Sequence, residues 1–214
     1  MEYLKYKNDG WGLSKKSLLE LEKIIKSFNK NEKVEIVEFG SGISTAFLLE
    51  CCDKYLIDFN ITSYDHDKKY AFNGNHKNLN LKIVDLHHCS DDSFNEMFYK
   101  KTLNLENFKK IDFQPHTRQK NTFYDIKLEE LPKKINLVLL DGSHGNGRSI
   151  AFLYLKENMD KDSFIFIDDT THYDFESRLQ SIFRCNLEKR FVESYKDSNT
   201  LWEIGGNYSL YKLV

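Results

Sequence analysis

Val34-Glu-Ile-Val-Glu-Phe-Gly-Ser-Gly-Ile-Ser-Thr45 is a short apolar run that leads into a glycine-bearing turn and then a helix. Val34, Ile36, Val37 and Phe39 form the near-continuous apolar set of a strand covered on both faces in a parallel sheet. Gly40 and Gly42 remove side chains where the backbone must turn sharply, and they let a ligand approach the main chain. Ser44 and Thr45 follow, and either suits the cap of a helix that continues through Ala46, Phe47, Leu48 and Leu49. The free N–H groups at that helix start face whatever lies over the turn, so the stretch is expected to cradle a ligand.

A glycine-rich turn between strand and helix also serves dinucleotide enzymes. Their fingerprint, G-x-G-x-x-G, needs a third small residue where this chain has Thr45, and asks for no acid where this chain has Glu38. Glu38-Phe-Gly40-Ser-Gly42-Ile-Ser44 resembles motif I of the class I S-adenosylmethionine-dependent methyltransferases, E/D-x-G-x-G-x-G, with Ser44 in place of the last glycine. Glu38 to Thr45 is most similar to their E-x-G-S-G-x-S-T subgroup. The resemblance implies S-adenosylmethionine held by Glu38, Gly40, Ser41, Gly42, Ser44 and Thr45. The structural alternative is a strand-to-helix turn that binds nothing.

The chain of 214 residues is long enough for a full sheet and two helical layers, and is expected to form a single domain over 1–214. Lys plus Arg number 31 against 33 for Asp plus Glu, so no net basic field draws it to nucleic acid. Cys51, Cys52, Cys89 and Cys185 lack C-x-x-C spacing, and a vicinal pair inside a helix makes a poor bridge, which fits reduced thiols. No apolar run has the length of a signal-peptide core at the start or of a membrane span later, so the expectation is a soluble, cytoplasmic protein without a membrane partner.

Outward from the cradle, strand and helix alternate. Leu18, Leu21, Ile25 and Phe28 fall at helical spacing after Ser14 or Ser17, either of which can cap that helix. Ile61-Thr-Ser-Tyr-Asp65 reads as the second strand and ends in an acid about 25 residues after Gly40, the offset at which such folds place a ribose ligand. Asp65 is therefore the ribose candidate, with His66 flanking the adenosine; the alternative is an N-cap for a short helix from Asp67 to Phe72. Leu79 to Asp85 reads as the third strand, Ile135 to Asp141 as the fourth and Ser163 to Asp169 as the fifth. Helices follow the last two, carrying Ile150, Leu153, Tyr154 and Met159, then Phe175, Leu179, Ile182 and Phe183. Two antiparallel-looking runs, Arg190 to Tyr195 and Asn207 to Val214, close the chain.

This α/β order is similar to the class I methyltransferase fold over about Ser14 to Val214. The resemblance implies a three-layer, doubly wound, Rossmann-like sheet of seven strands, order 3-2-1-4-5-7-6, with the last strand antiparallel. The chain departs from it at Ser44 and in the segment 86–134, an insertion between the third and fourth strands without regular alternation. Asp91 to Lys101 reads there as an amphipathic helix, and the rest as irregular chain. Its Phe94, Met97, Phe98, Phe108, Phe113, Phe123 and Tyr124 suggest an acceptor-binding lid.

Methyl transfer from a sulfonium is an in-line displacement; donor and acceptor must be aligned, and a hydroxyl acceptor must place its proton. Asp141, His144, Asp168, Asp169 and His172 fall at the carboxyl ends of the fourth and fifth strands, which as neighbours lie roughly 4.8 Å apart. Three converging carboxylates want a cation, and oxygen ligands suit Mg²⁺ or Ca²⁺. The layout resembles the catechol-type O-methyltransferases, which implies Asp141, Asp168 and Asp169 as ligands of Mg²⁺, with Asp169 where that family has Asn. In the alternative, Asp169 or Thr170 caps the next helix and Asp168 holds a loop N–H. A metal-free route uses His144 or His172 as base; Asp-Gly-Ser-His puts His144 one tight turn from the reaction edge, so Asp141 and His144 are the catalytic candidates. The leading expectation is an O-methyltransferase with a small-molecule or glycan acceptor. An NAD-dependent oxidoreductase and a non-catalytic nucleotide-binding module are the competing classes.

Overall fold

The computed structural model describes residues 2–7, 12–111, 120–143, 145–171, 173–193 and 206–214. Helix α1 (Lys15–Ser27) starts at Ser14, whose Oγ accepts the Ser17 N–H at 3.2 Å. Strand β1 (Val34–Phe39) leads into α2 (Ile43–Lys54), then come β2 (Phe59–Asp65) and β3 (Leu79–Ile83). The 86–134 segment supplies β4 (Leu86–His88), α3 (Asp91–Lys100), β5 (Lys109–Ile111) and β6 (Thr122–Tyr124). After it come β7 (Leu137–Leu140), a 3-10 turn (Gly145–Ser149) running into α4 (Ile150–Leu155), β8 (Phe164–Asp168), α5 (Phe175–Ile182), β9 (Cys185–Glu193) and β10 (Gly206–Leu213).

The main sheet has seven strands in the order β3-β2-β1-β7-β8-β10-β9. β1 pairs in parallel with β2 and β7, β7 with β8, and β10 runs antiparallel to both β8 and β9. Counting main-sheet strands alone, this is the expected order 3-2-1-4-5-7-6 with the last strand reversed. The central strands are apolar on both faces because both are covered. Ile36, Leu137, Leu139 and Phe166 pack with α1 and α2, whereas Val37, Phe39, Val138, Leu140, Ile165 and Ile167 pack with α3, α4 and α5. Each such side chain, once buried, contributes roughly 1.5–3 kcal/mol. Among the described residues no helix is long and apolar enough to cross a membrane. The four cysteines are free.

The segment expected to be largely irregular is more ordered than its sequence suggests. β4, β5 and β6 form a second, three-stranded antiparallel sheet in the order β5-β4-β6. Phe94, Met97, Phe98, Phe123 and Tyr124, expected on a lid, are all buried in the core cluster shared with α4 and α5. Strands of three residues show no period of two, which is why the sequence hides them. Phe113, in the middle of the segment, lies outside the described residues. Two helix starts also differ from expectation. No helix follows Asp67, where residues 68–70 form only a turn, and α5 is capped by Asp174, not by Asp169 or Thr170.

Candidate functional site

Strand order reverses at β1, which has β2 on one side and β7 on the other. In open α/β sheets the crevice for ligands lies beyond the carboxyl ends of the strands at such a point. Here the loops after β1, β2 and β7 converge there.

Glu38 is fully buried, and its carboxylate accepts hydrogen bonds from Ser44 Oγ at 2.6 Å, Thr45 Oγ1 at 2.5 Å and Ser63 Oγ at 2.5 Å. Ser63 sits directly opposite Glu38 in the β1–β2 register. Burial pushes the Glu38 carboxyl up to about 7 against the pull of these hydroxyls, and Asp141 adds to the rise. The hydroxyls of Ser44 and Thr45 are thus turned back to the acid, and the helix cap falls on Gly42 instead of on either of them. Thr45 Oγ1 also accepts the Gly42 N–H at 3.0 Å and lies 3.0 Å from Ser41 Oγ. One threonine therefore ties both ends of the turn, a task for which the third glycine of a dinucleotide loop has no atoms.

Asp65 closes the other side. Its Oδ2 accepts the Ser41 N–H at 2.9 Å, while Oδ1 accepts the N–H groups of His66 at 2.7 Å and Asp67 at 2.9 Å. The carboxylate holds the glycine turn against the end of β2, and Oδ2 keeps acceptor capacity beyond its single bond. His66 has its ring nitrogen 3.6 Å from Asp65 Oδ1, and burial pulls its pKa below the usual histidine value.

The two glycine turns touch. Gly40 has φ +96°, and a Cβ there would lie 2.6 Å from the Gly142 nitrogen. A Cβ on Gly142 would meet the Tyr124 hydroxyl at 2.1 Å and the Gly40 Cα at 2.9 Å. The N–H groups of Asp141 and Gly142 both donate to the Phe39 carbonyl. No side chain fits at either glycine, so the crevice is bounded by main chain and by Tyr124.

Asp141 and Asp168 sit at the ends of β7 and β8 as expected, and burial pushes the first up to about 6 and the second well above the carboxylate range. Ser17 Oγ donates to Asp168 Oδ1 at 3.4 Å. Asp169 is exposed, with φ +55°. The anticipated metal cluster is not what these acids form. Among the described residues no three His, Cys, Asp or Glu side chains gather closely enough to hold an ion. The cation is instead the buried Arg148 guanidinium, whose Nε donates to the Ser143 carbonyl at 2.6 Å and Nη1 to the Asp168 carbonyl at 2.8 Å. Its charge opposes the upward shift of Asp141, Asp168 and Tyr124 alike. His144 and His172, the candidate bases, lie outside the described residues.

Sequence reasoning passed over Ser63, Gly142 and Arg148, and gave Tyr124 to the acceptor lid and not to the wall of the crevice. A basic residue in a loop that otherwise brings acids together was the available signal for Arg148. Ser63 needed the register of β2 on β1, and Tyr124 the placement of β6.

No curated protein matches the chain. Among solved structures, a chain of a complex that contains a Haloferax volcanii methyltransferase activator aligns with a TM-score of 0.51 at 8% identity, covering 92% of this chain and 90% of that one. A probable spermidine synthase from Corynebacterium glutamicum aligns with a TM-score of 0.51 at 10% identity, covering 96% of this chain and 66% of that one. A precorrin-6y C5,15-methyltransferase from Geobacter metallireducens gives 0.47 at 12% identity, over 90% of this chain and 87% of that one. A family described as a methyltransferase domain matches residues 37–170, which take in the cradle, Asp65, the second sheet and both acid-bearing strand ends. The chain belongs to the class I S-adenosylmethionine-dependent methyltransferases.

Proposed function

We propose that the protein transfers a methyl group to a hydroxyl oxygen of a small-molecule or glycan acceptor. The observation that carries this reading is the Glu38-braced turn facing Asp65 at the point where strand order reverses, with Asp141 and Arg148 on the acceptor side. The residues suit S-adenosylmethionine on two grounds. Gly40 and Gly142 leave main chain bare, and Asp65 Oδ2 has acceptor capacity for a ribose hydroxyl.

S-adenosylmethionine supplies, when bound, a methyl group on a positively charged sulfur. Glu38 does not reach the ligand; it fixes Ser44, Thr45 and, through Thr45, the Gly42 N–H. Ser41, held by Asp65 through its N–H and by Thr45 and the Phe72 N–H through its hydroxyl, presents the turn to the nucleoside together with His66. Asp141 accepts the hydrogen of the acceptor hydroxyl, and Arg148 keeps that carboxyl largely ionised near neutral pH by opposing its burial. The acceptor lies beside the 86–134 segment, whose second sheet borders the crevice through β6. The balance of 31 basic against 33 acidic residues supports a small or glycan acceptor over nucleic acid.

Thermal unfolding with S-adenosylmethionine, S-adenosylhomocysteine, NAD or ATP tests the ligand class, because a ligand of the native state raises its apparent stability. Stabilisation by the first two is expected, and a shift with NAD alone overturns the proposal. Mass spectrometry of hydroxylated acceptors incubated with enzyme and S-adenosylmethionine then tests the methylated atom.

A further inference from the structure

We infer that Tyr124, brought to the crevice by the second sheet, is a cofactor-contacting residue whose hydroxyl donates to an oxygen of the nucleoside end of the ligand. The inference rests on the S-adenosylmethionine reading and adds a residue from the inserted segment to its site. Tyr124 as a residue is 1% exposed, and no hydrogen bond from its hydroxyl is seen among the described residues, yet that oxygen is not sealed in the core as those of Tyr64 and Tyr154 are. A donor that the fold leaves unpaired at the edge of the crevice is open to a partner from outside it.

The hydroxyl points to the crevice. It fills the space that a side chain at Gly142 would take, against the backbone of Gly40, between the first and third loops of the site. Asp65, the ribose candidate, is the charged group that acts on it most strongly, ahead of Arg148, Asp141 and Glu38. A donor beside the Asp65 acceptor is the pairing that a ribose edge needs, since its hydroxyls and ring oxygen offer both roles. Burial and Asp65 raise the phenol well above its ordinary value, so the proton stays available for donation.

The position is fixed and not left to a mobile arm. Leu86 pairs with Tyr124 and His88 with Thr122 in the antiparallel β4–β6 ladder. Ser143 Oγ donates to the Thr122 carbonyl at 2.6 Å, and Asn121 N–H donates to Asn146 Oδ1 at 3.0 Å, so the loop after β7 is stitched to β6. At Gly147 a Cβ would overlap the Thr122 carbonyl at 1.8 Å, which leaves β6 no room to draw nearer. The ring itself packs 5.9 Å from Phe39, stacked, and 6.2 Å from the His66 ring.

Calorimetry on Tyr124→Phe decides, with S-adenosylhomocysteine and with 5′-methylthioadenosine, which keeps the nucleoside and lacks the amino-acid chain. Both ligands should lose affinity to the same extent, roughly five- to tenfold, the loss expected for one hydrogen bond. Ligand-free Tyr124→Phe should melt at or above the wild-type temperature, because the deleted hydroxyl has no partner in the protein. Tyr154→Phe, which removes a buried, unpartnered hydroxyl in the same core, should leave both affinities unchanged. Unchanged affinity in Tyr124→Phe, a loss confined to S-adenosylhomocysteine, or a clear drop in ligand-free melting temperature would each overturn the inference. Wild-type protein that binds neither ligand refutes the cofactor reading itself, which separates the two failures.

Discussion

Replacing Glu38 by Gln isolates the electrostatic cost of the acid that organises the cradle. In the folded chain the carboxyl is fully buried and raised from an ordinary 4.5 to about 7. At about 1.4 kcal/mol per unit, that shift corresponds to about 3 kcal/mol of stability. The folded state keeps a proton on Glu38 that the unfolded chain has already lost, so between these two values the native state binds more protons. Stability therefore falls as pH rises from about 4.5 to about 7, with none of the loss below the window and all of it above. Gln cannot titrate, and the hydroxyls of Thr45 and Ser63, both directed at Oε2, are free to rotate and accept from its amide. Asp141, Asp168 and the acid-labile pairs such as Glu22 with Lys26 are common to both proteins and largely cancel. Urea unfolding of each protein without ligand, from about pH 5 to about pH 8, should find the stability of the variant rising relative to wild type by up to about 3 kcal/mol. Parallel stability curves across that window would falsify the claim that Glu38 is buried at an electrostatic cost.

Gly142→Ala puts a methyl group 2.1 Å from the Tyr124 hydroxyl and 2.9 Å from Gly40 Cα, so a loss of about 1–3 kcal/mol is expected in thermal unfolding, only partly regained in Gly142→Ala with Tyr124→Phe because the Gly40 backbone cannot yield. An alanine that melts with wild type would mean the two turns do not touch. Arg148→Met leaves the Ser143 and Asp168 carbonyls without their donor and Asp141 without the charge that opposes its rise, so it should cost about 1–3 kcal/mol, more at pH 8 than at pH 5, where Asp141 is largely protonated. Since Arg148 already supplies that charge, methyl transfer by the wild type should continue in excess chelator; its loss, restored by Mg²⁺, would return the acids to a metal role. Finally, Asp141 ionises with a value of about 6, so the preference for the cationic S-adenosylmethionine over neutral-sulfur S-adenosylhomocysteine should widen severalfold from about pH 5 to about pH 8 in paired titrations, and a constant ratio would remove Asp141 from the sulfonium's surroundings.

What the sequence disclosed depended on how far apart the cooperating residues lie along the chain. The central strands were legible because burial on both faces writes an unbroken apolar run, and Ile36 to Phe39, Leu137 to Leu140 and Ile165 to Ile167 carry it plainly. β9 was placed five residues late, from Arg190 instead of Cys185, since an edge strand with half-exposed faces writes no such run. In the site, Glu38, Gly40, Gly42 and Thr45 act on one another within a single turn, and so their chemistry survives in the linear order. Their exact duties did not. The hydroxyls of Ser44 and Thr45 could equally have capped a helix, and only the buried carboxylate behind them, a stronger acceptor than the solvent they would otherwise face, decides that they turn inward. Asp141 and Asp168 were found by the same logic, as acids ending apolar strands, but the charge that answers them was sought outside the protein. Arg148 lies 7 residues beyond Asp141 and 20 before Asp168, and no period in the chain links the three; the sheet register does, by setting β7 against β8 and letting one guanidinium span both loops. A cluster of like charges in a sequence therefore predicts that a counter-charge exists. Whether that charge is an ion or an arginine is a property of the loops; here one guanidinium donates to the carbonyls of Ser143 and Asp168 while its charge opposes the rise of both acids.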